Sequence, residues 1–147
     1  MKVLFICRSN AERSIIAETL FNSFSKKHKA SSAGADVTAQ RREGSPPGRV
    51  ISELMLSMGH DVLQMKSRQL TPKMVKEADK VVVILSKSEV RKYLPGYVKN
   101  SRKTIFWTVK LTPHSIYATF PPRTYNYHLR WLDLIHANVR KLVREMK

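Results

Sequence analysis

The stretch Val3-Leu4-Phe5-Ile6-Cys7-Arg8-Ser9-Asn10-Ala11-Glu12-Arg13-Ser14 places the only cysteine of the chain directly after an apolar run and shortly before an arginine and a serine. These residue types at this spacing suit capture of a phosphoryl group by a sulfur nucleophile. A loop of this length can turn the backbone N–H groups of Arg8, Ser9, Asn10, Ala11, Glu12, Arg13 and Ser14 toward one point and cradle an oxyanion. A helix beginning near Arg13 adds the positive end of its dipole. The guanidinium of Arg13 is planar and forked, so it can grip two phosphoryl oxygens at once. All three features stabilise negative charge and favour the thiolate of Cys7, the form that attacks. Ser14 can donate its hydroxyl to that sulfur, and Asn10 tolerates the left-handed backbone that an inward-folded loop requires. The plainer reading of Cys7 is a small buried hydrophobe closing a strand. The strand before it, the helix after it, and Asn10, Arg13 and Ser14 together weigh against that.

Positioning these groups requires strands and helices in alternation, and the chain supplies them. Lys2 to Ile6 is rich in branched and aromatic residues and is predicted to be a buried strand. Ser14 to His28 is predicted as a helix with Ile15, Ala17, Leu20 and Phe24 on its apolar face, followed by a short strand, Ser31 to Gly34. Gly48 to Met58 is helical, with Val50, Leu54 and Met58 in register, and Gly59 ends it. Thr71 is an N-cap and Pro72 the first residue of a short helix running through Ala78. Lys80 to Leu85 is an aliphatic strand, Ser86 caps the segment after it, and Lys103 to Val109 is the next strand. A proline-marked loop, Leu111 to Pro122, leads to a long amphipathic helix from Tyr125 to Met146, in which His128, Leu132, Ile135, Val139, Leu142 and Met146 share a face. The alternation predicts an α/β fold whose parallel sheet is covered on both faces. Ligands in such folds sit beyond the carboxyl ends of strands, which is where Cys7 lies.

The 147 residues suit one domain spanning 1–147. No apolar run approaches the roughly 20 residues that span a bilayer, and Val3 to Ile6 is too short for a signal-peptide core. A single free thiol and no leader point to the cytoplasm and away from any membrane. The formal net charge is +16, and from Lys87 to Lys147 only Glu89, Asp133 and Glu145 are acidic. Such a surface attracts acidic substrates or nucleic acid. Neither zinc-ligand spacing nor an RNA-binding aromatic motif accompanies it, so a basic solvated surface is preferred over a nucleic-acid role.

The segment Cys7, Asn10, Arg13, Ser14, Ala17, Glu18 resembles the signature of the low-molecular-weight protein tyrosine phosphatases and the related arsenate reductases. Further matches occur in order: Ser32-Ala33-Gly34, Gly59-His60-Asp61, Ser67-Arg68-Gln69-Leu70-Thr71, Ala78-Asp79 and Trp107. The resemblance covers nearly the whole chain. It implies a flavodoxin-like domain with a four-stranded parallel sheet. It also implies hydrolysis of a phosphotyrosine protein or small phosphomonoester through a phosphocysteine intermediate, with inorganic phosphate as product and neither metal nor cofactor. On the matching positions, Cys7 is the nucleophile, Arg13 the phosphate clamp, and Asn10 and Ser14 support the loop.

One position departs from the pattern. The family carries Asp-Pro on a loop after the tryptophan, and that aspartate protonates the leaving oxygen. Here Thr112-Pro113 stands in its place, and no carboxylate occurs between Glu89 and Asp133. Threonine is no general acid near neutral pH, and losing that function typically costs on the order of 10²–10⁴ in rate. His114 on the same loop is the nearest candidate substitute. Glu12 is expected to turn away from the phosphate, and Asp133 to lie on a solvated helix face. Tyr117 and Phe120 are candidates for an aromatic wall around the substrate, because Ala35-Asp36-Val37-Thr38 offers none. Three alternatives therefore stand beside the phosphatase: a weakly active or inactive anion-binding relative, a single-cysteine arsenate reductase using a small thiol, and a basic nucleic-acid-binding module.

Overall fold

Alternating residues of the first and third strands face opposite ways, and each set finds its own hydrophobic cluster. Val3, Phe5, Val82 and Ile84 pack with Ile15, Ile16, Leu20, Phe21, Ile51, Met55, Ile135 and Val139. Leu4, Ile6, Val81 and Val83 pack with Val75, Leu94 and Val98 on the other side. This period of two is what a strand buried on both faces requires.

The computed structural model describes residues 1–38, 43–110 and 121–146, with the helix backbone alone for 121–127. The elements run β1 (Lys2–Cys7), α1 (Arg13–Phe24), β2 (Lys29–Gly34), α2 (Arg49–Ser57), α3 (Pro72–Glu77), β3 (Lys80–Val83), α4 (Lys87–Tyr93), α5 (Gly96–Lys99), β4 (Thr104–Phe106) and α6 (Pro121–Glu145). The four strands form one sheet in the order β2-β1-β3-β4. All pairings are parallel, with Cys7 opposite Gly34 and Ile6 opposite both Ala33 and Val83. Helices α1, α2 and α6 cover one face, and α3, α4 and α5 cover the other. Chain order departs from β1 in two directions, to β2 and to β3. The switch point therefore lies at the carboxyl end of β1, where the crevice of such sheets opens.

Local chemistry explains most boundaries. Thr71 caps α3 by accepting from the Met74 N–H, with Pro72 in the first turn. Ser86 and Glu89 form a reciprocal capping box at the start of α4. Helix α1 ends at Phe24 rather than His28, and its buried face uses Ile16 and Phe21, while Phe24 is exposed. In α2 the buried apolar residues are Ile51, Leu54 and Met55, and Met58 just past its end is exposed. Two strands are shorter than the apolar runs suggest. β3 stops at Val83 and β4 spans three residues, where the regular register ends, although the Trp107 and Val109 N–H groups still donate to the Val83 and Leu85 carbonyls. The final helix starts at Pro121, earlier than the apolar pattern does, since proline is acceptable in a first turn. His128, Leu132, Ile135, Val139, Leu142 and Met146 are all buried along it.

Gly34 marks the tightest contact between sheet and loop. A Cβ there would lie 2.9 Å from the Arg8 carbonyl oxygen, 2.9 Å from the Asn10 nitrogen and 2.6 Å from Val37 Cγ2. Two of these neighbours are backbone and cannot rotate away. Gly34→Ala is expected to destabilise the protein by about 1–3 kcal/mol, as overpacking does, measured by urea denaturation. A loss below a few tenths of a kcal/mol would mean the loop yields freely.

Candidate active site

Five residues connect the end of β1 to the start of α1, and their path is set by Asn10. Its φ of 52° is the only positive value among the described non-glycine residues, a conformation asparagine tolerates better than most. The side chain then acts as a peg. Its Oδ1 accepts the Arg68 N–H at 2.9 Å, which fixes the amide so that Nδ2 faces the other way. The Nδ2 group donates to Ser14 Oγ at 2.8 Å and to Ser32 Oγ at 2.9 Å. Ser32 donates its own hydroxyl to the Glu18 carboxyl. Ser14 Oγ, already accepting from Asn10, lies 3.0 Å from Cys7 Sγ. Its remaining hydrogen is therefore free to point at the sulfur, and a buried hydroxyl that donates there stabilises a thiolate. Burial raises Glu18 above the ordinary carboxyl range, against the pull of the Ser32 hydroxyl and the Arg68 charge.

Arg13 is buried at the first position of α1. Its Nη1 donates to Glu89 Oε1 at 2.8 Å and to the Ile84 carbonyl at 3.0 Å, and its Nη2 donates to Glu89 Oε2 at 2.9 Å. A guanidinium has five N–H groups. These three contacts leave one edge, Nε–H and the second Nη2–H, without a partner among the described residues. Two parallel donors on one edge match two oxygens of a phosphoryl group. Burial opposes the charge of Arg13, but the hydrogen bonds to Glu89 and the nearby Cys7, Glu89 and Glu12 outweigh it and raise its pKa. Burial likewise opposes the Glu89 carboxylate. Arg13, with the Ser86 N–H and hydroxyl, outweighs it and holds Glu89 below the usual carboxylate range.

Helix α6 braces the loop from the other side. His128 Nε2 lies 2.6 Å from Glu12 Oε2, and the His128 ring packs edge-on against Trp131 at 5.6 Å. The Trp131 ring in turn carries the Arg13 guanidinium at 5.0 Å from its centroid. Arg8 stacks in the same manner on Tyr93 of α4, at 4.3 Å.

A family model described as low molecular weight phosphotyrosine protein phosphatase matches residues 2–147. The chain belongs to this family. A comparison with curated proteins found no match. Among solved structures it is similar to the low molecular weight protein tyrosine phosphatase of T. tengcongensis, with 25% identity, 99% of each chain covered and a TM-score of 0.75. Vibrio vulnificus Wzb in complex with benzylphosphonate matches in fold, with 21% identity, TM-score 0.77 and coverage of 98% of this chain and 97% of that one. An arsenate reductase from Archaeoglobus fulgidus matches with 25% identity, TM-score 0.68 and coverage of 96% and 98%.

The structure brings Cys7, Asn10, Arg13 and Ser14, the family's motif positions, into one buried cluster at the end of β1. Ser9 and Ala11 are buried in the same loop, and the Ala11 carbonyl accepts the Gly48 N–H at 3.0 Å. Glu12 turns to His128, as its charge requires, and Asp133 is exposed on α6. Thr112, His114, Tyr117 and Phe120 lie outside the described residues. Sequence reasoning missed Glu89, Arg68, His128 and Trp131. Only Glu89 carried a local signal, as the third residue after the Ser86 cap. The others meet the loop from distant segments.

The Arg13–Glu89 pair predicts a distinctive acid response. Glu89 is ionised more readily folded than unfolded, so its contribution is present above the ordinary carboxylate range and is lost as pH falls through its depressed native value. Glu89→Gln is expected to be about 3 kcal/mol less stable at pH 7, the order found when a buried pair loses one partner. The gap should narrow in urea melts below about pH 4, the ordinary carboxylate value. A constant gap from neutral to acid pH would place the contribution in packing instead.

Proposed function

We propose that this protein hydrolyses phosphomonoesters, with phosphotyrosine as the substrate group, through a phosphocysteine intermediate on Cys7. The observation that carries this reading is one buried cluster in which Ser14 Oγ lies 3.0 Å from Cys7 Sγ and Arg13, close enough to feel the charge of Cys7, keeps one guanidinium edge without a partner among the described residues. The thiolate attacks phosphorus, the S–P bond forms, and the P–O bond to the leaving group breaks. Arg13 and the loop N–H groups stabilise charge on the equatorial oxygens. The leaving sulfur of the second step is stabilised by Ser14 as water attacks phosphorus and releases inorganic phosphate. No metal is needed for either step.

Proton supply to the leaving oxygen is the step this chain alters. Thr112 occupies the place of the family's aspartate, and a tyrosine leaving group, with a pKa of about 10, suffers most from its loss. An arsenate reductase using Cys7 and an external small thiol is the second reading. The likeness to the archaeal arsenate reductase and the single cysteine favour it.

Steady-state hydrolysis of p-nitrophenyl phosphate and a phosphotyrosine peptide separates these cases. Cys7→Ser is expected to lower turnover of both by at least about 10³, and Arg13→Lys by about 10²–10³, the range for loss of one transition-state donor. Turnover retained by Cys7→Ser would sink the mechanism. Thiol-dependent arsenate reduction without phosphate release would favour the second reading.

Thr112→Asp is expected to raise phosphotyrosine turnover about tenfold or more while changing nitrophenyl ester hydrolysis little, because nitrophenolate leaves without a proton. An equal change in both substrates would show that the substitution acts on binding.

A further inference from the structure

We propose that Arg8 is a second anion-binding group beside the cradle, selecting phosphotyrosine segments that carry an acidic residue next to the phosphotyrosine. The inference rests on the phosphatase reading of the same site and names the class of substrate it takes.

Arg8 directly follows the nucleophile, and its backbone is pinned. The Ala35 N–H donates to the Cys7 carbonyl at 2.8 Å and the Asp36 N–H to the Arg8 carbonyl at 2.9 Å. Its side chain is held as well, with the guanidinium carbon 4.3 Å from the centre of the Tyr93 ring. Tyr93 comes four residues after Glu89 on α4, so the two share a helix face with Cβ atoms about 5–6 Å apart. One helix therefore positions both arginines, Glu89 holding Arg13 and Tyr93 holding Arg8.

The two arginines differ in what they have left to bind. Arg13 is neutralised by Glu89 and keeps one edge for a phosphoryl group. Arg8 takes part in none of the ion pairs of the described residues, and its buried Nε has no hydrogen-bond partner among them. A buried donor without a partner is uncommon and signals an acceptor supplied from outside. Stacking on a ring leaves the guanidinium's in-plane donors open to a carboxylate. The surface beyond continues in the same sign: Lys87, Arg91 and Lys92 of α4 are exposed, while the helix's one carboxylate is buried against Arg13. The Asp36 carboxylate accepts the Thr38 hydroxyl at 3.0 Å. The exposed cations of α4 favour anionic partners generally, while the selective contact is the guanidinium of Arg8, whose open donors fit a carboxylate beside the phosphotyrosine.

The test compares kcat/KM for two phosphotyrosine peptides that differ only in flanking residues, glutamates or glutamines, at physiological salt. Wild type is expected to prefer the acidic peptide about tenfold, the order of one charge-assisted hydrogen-bonded contact. Arg8→Met, which keeps the stem, should bring the ratio below about twofold, and Arg8→Glu should invert it. The triple variant Lys87→Gln, Arg91→Gln, Lys92→Gln should keep most of it. The ratio is taken within each variant, so any general loss at the cradle cancels. An unchanged ratio in Arg8→Met, or an equal loss in the triple variant, would overturn the subsite. Should wild type hydrolyse neither peptide, the phosphatase reading fails separately. The same ratio is then read as Kd of the two peptides for the Cys7→Ser protein by fluorescence anisotropy. A preference removed by Arg8→Met upholds the subsite, and equal affinities overturn it.

Discussion

A cation buried at the beginning of a helix is disfavoured twice. Removing a guanidinium from water costs several kcal/mol unless charge and hydrogen bonds replace the solvent. The positive end of the helix dipole opposes it further. Arg13 meets both penalties, and Glu89 answers both by presenting two oxygens to two nitrogens at 2.8 and 2.9 Å. Glu89 is in turn a carboxylate in the first turn of α4, where the dipole favours it, and it also accepts the Ser86 N–H at 2.9 Å. The pair therefore joins the starts of α1 and α4 across the carboxyl end of the sheet. The loop between Cys7 and Arg13 must close over a fixed span, with β1 holding one end and Glu89 the other.

Within that span the backbone needs one residue in a left-handed conformation, and Asn10 provides it while doing a second task. Replacing it by glycine would satisfy φ but remove the contacts its side chain makes with Arg68, Ser14 and Ser32. Because Asn10 Oδ1 must accept from a backbone N–H, the amide cannot flip, and the order of donors along the chain from Asn10 to Ser14 to Cys7 is set by it. The same logic runs outward through Ser32 to Glu18. A polar network in a buried place is worth having only when every member is satisfied, and this one ends on a partly exposed carboxyl at one end and the thiol at the other.

The features legible in the sequence are those that depend on near neighbours. The Cys7-to-Ser14 loop, the strand before it and the helix after it lie within a short stretch, and the parallel sheet comes from the alternation of runs. The face of α1 is harder to read: Ile15, Ile16, Leu20 and Phe21 are buried and Phe24 is not. A helix between a sheet and a second helix buries more than one stripe, so a single periodic set misplaces its edge. The strand ends are obscured for a related reason. Leu85 and Val109 are buried and joined by a backbone hydrogen bond at 3.2 Å without belonging to strands, so apolar character continues past the regular ladder register. The braces from Arg68, His128 and Trp131 are long-range pairings, and a lone histidine on an apolar helix face reads as core until its partner is known.

That histidine bears on the charge balance of the loop. Glu12 precedes the phosphate clamp, and a free carboxylate there would repel the anion the cradle is built to hold. The Glu12 carboxylate instead meets the buried His128 of α6 at 2.6 Å. Gly48 leaves room for this rotamer, since a Cβ there would lie 3.0 Å from Glu12 Oε1. Glu89 of α4 takes one edge of the Arg13 guanidinium and Trp131 of α6 covers it with its ring, while the Nε edge stays without a partner among the described residues. The arrangement resolves a conflict inherent in a buried phosphate clamp, which must be neutral enough to fold and positive enough to bind: the Glu89 counter-charge occupies one edge of the guanidinium and leaves another open.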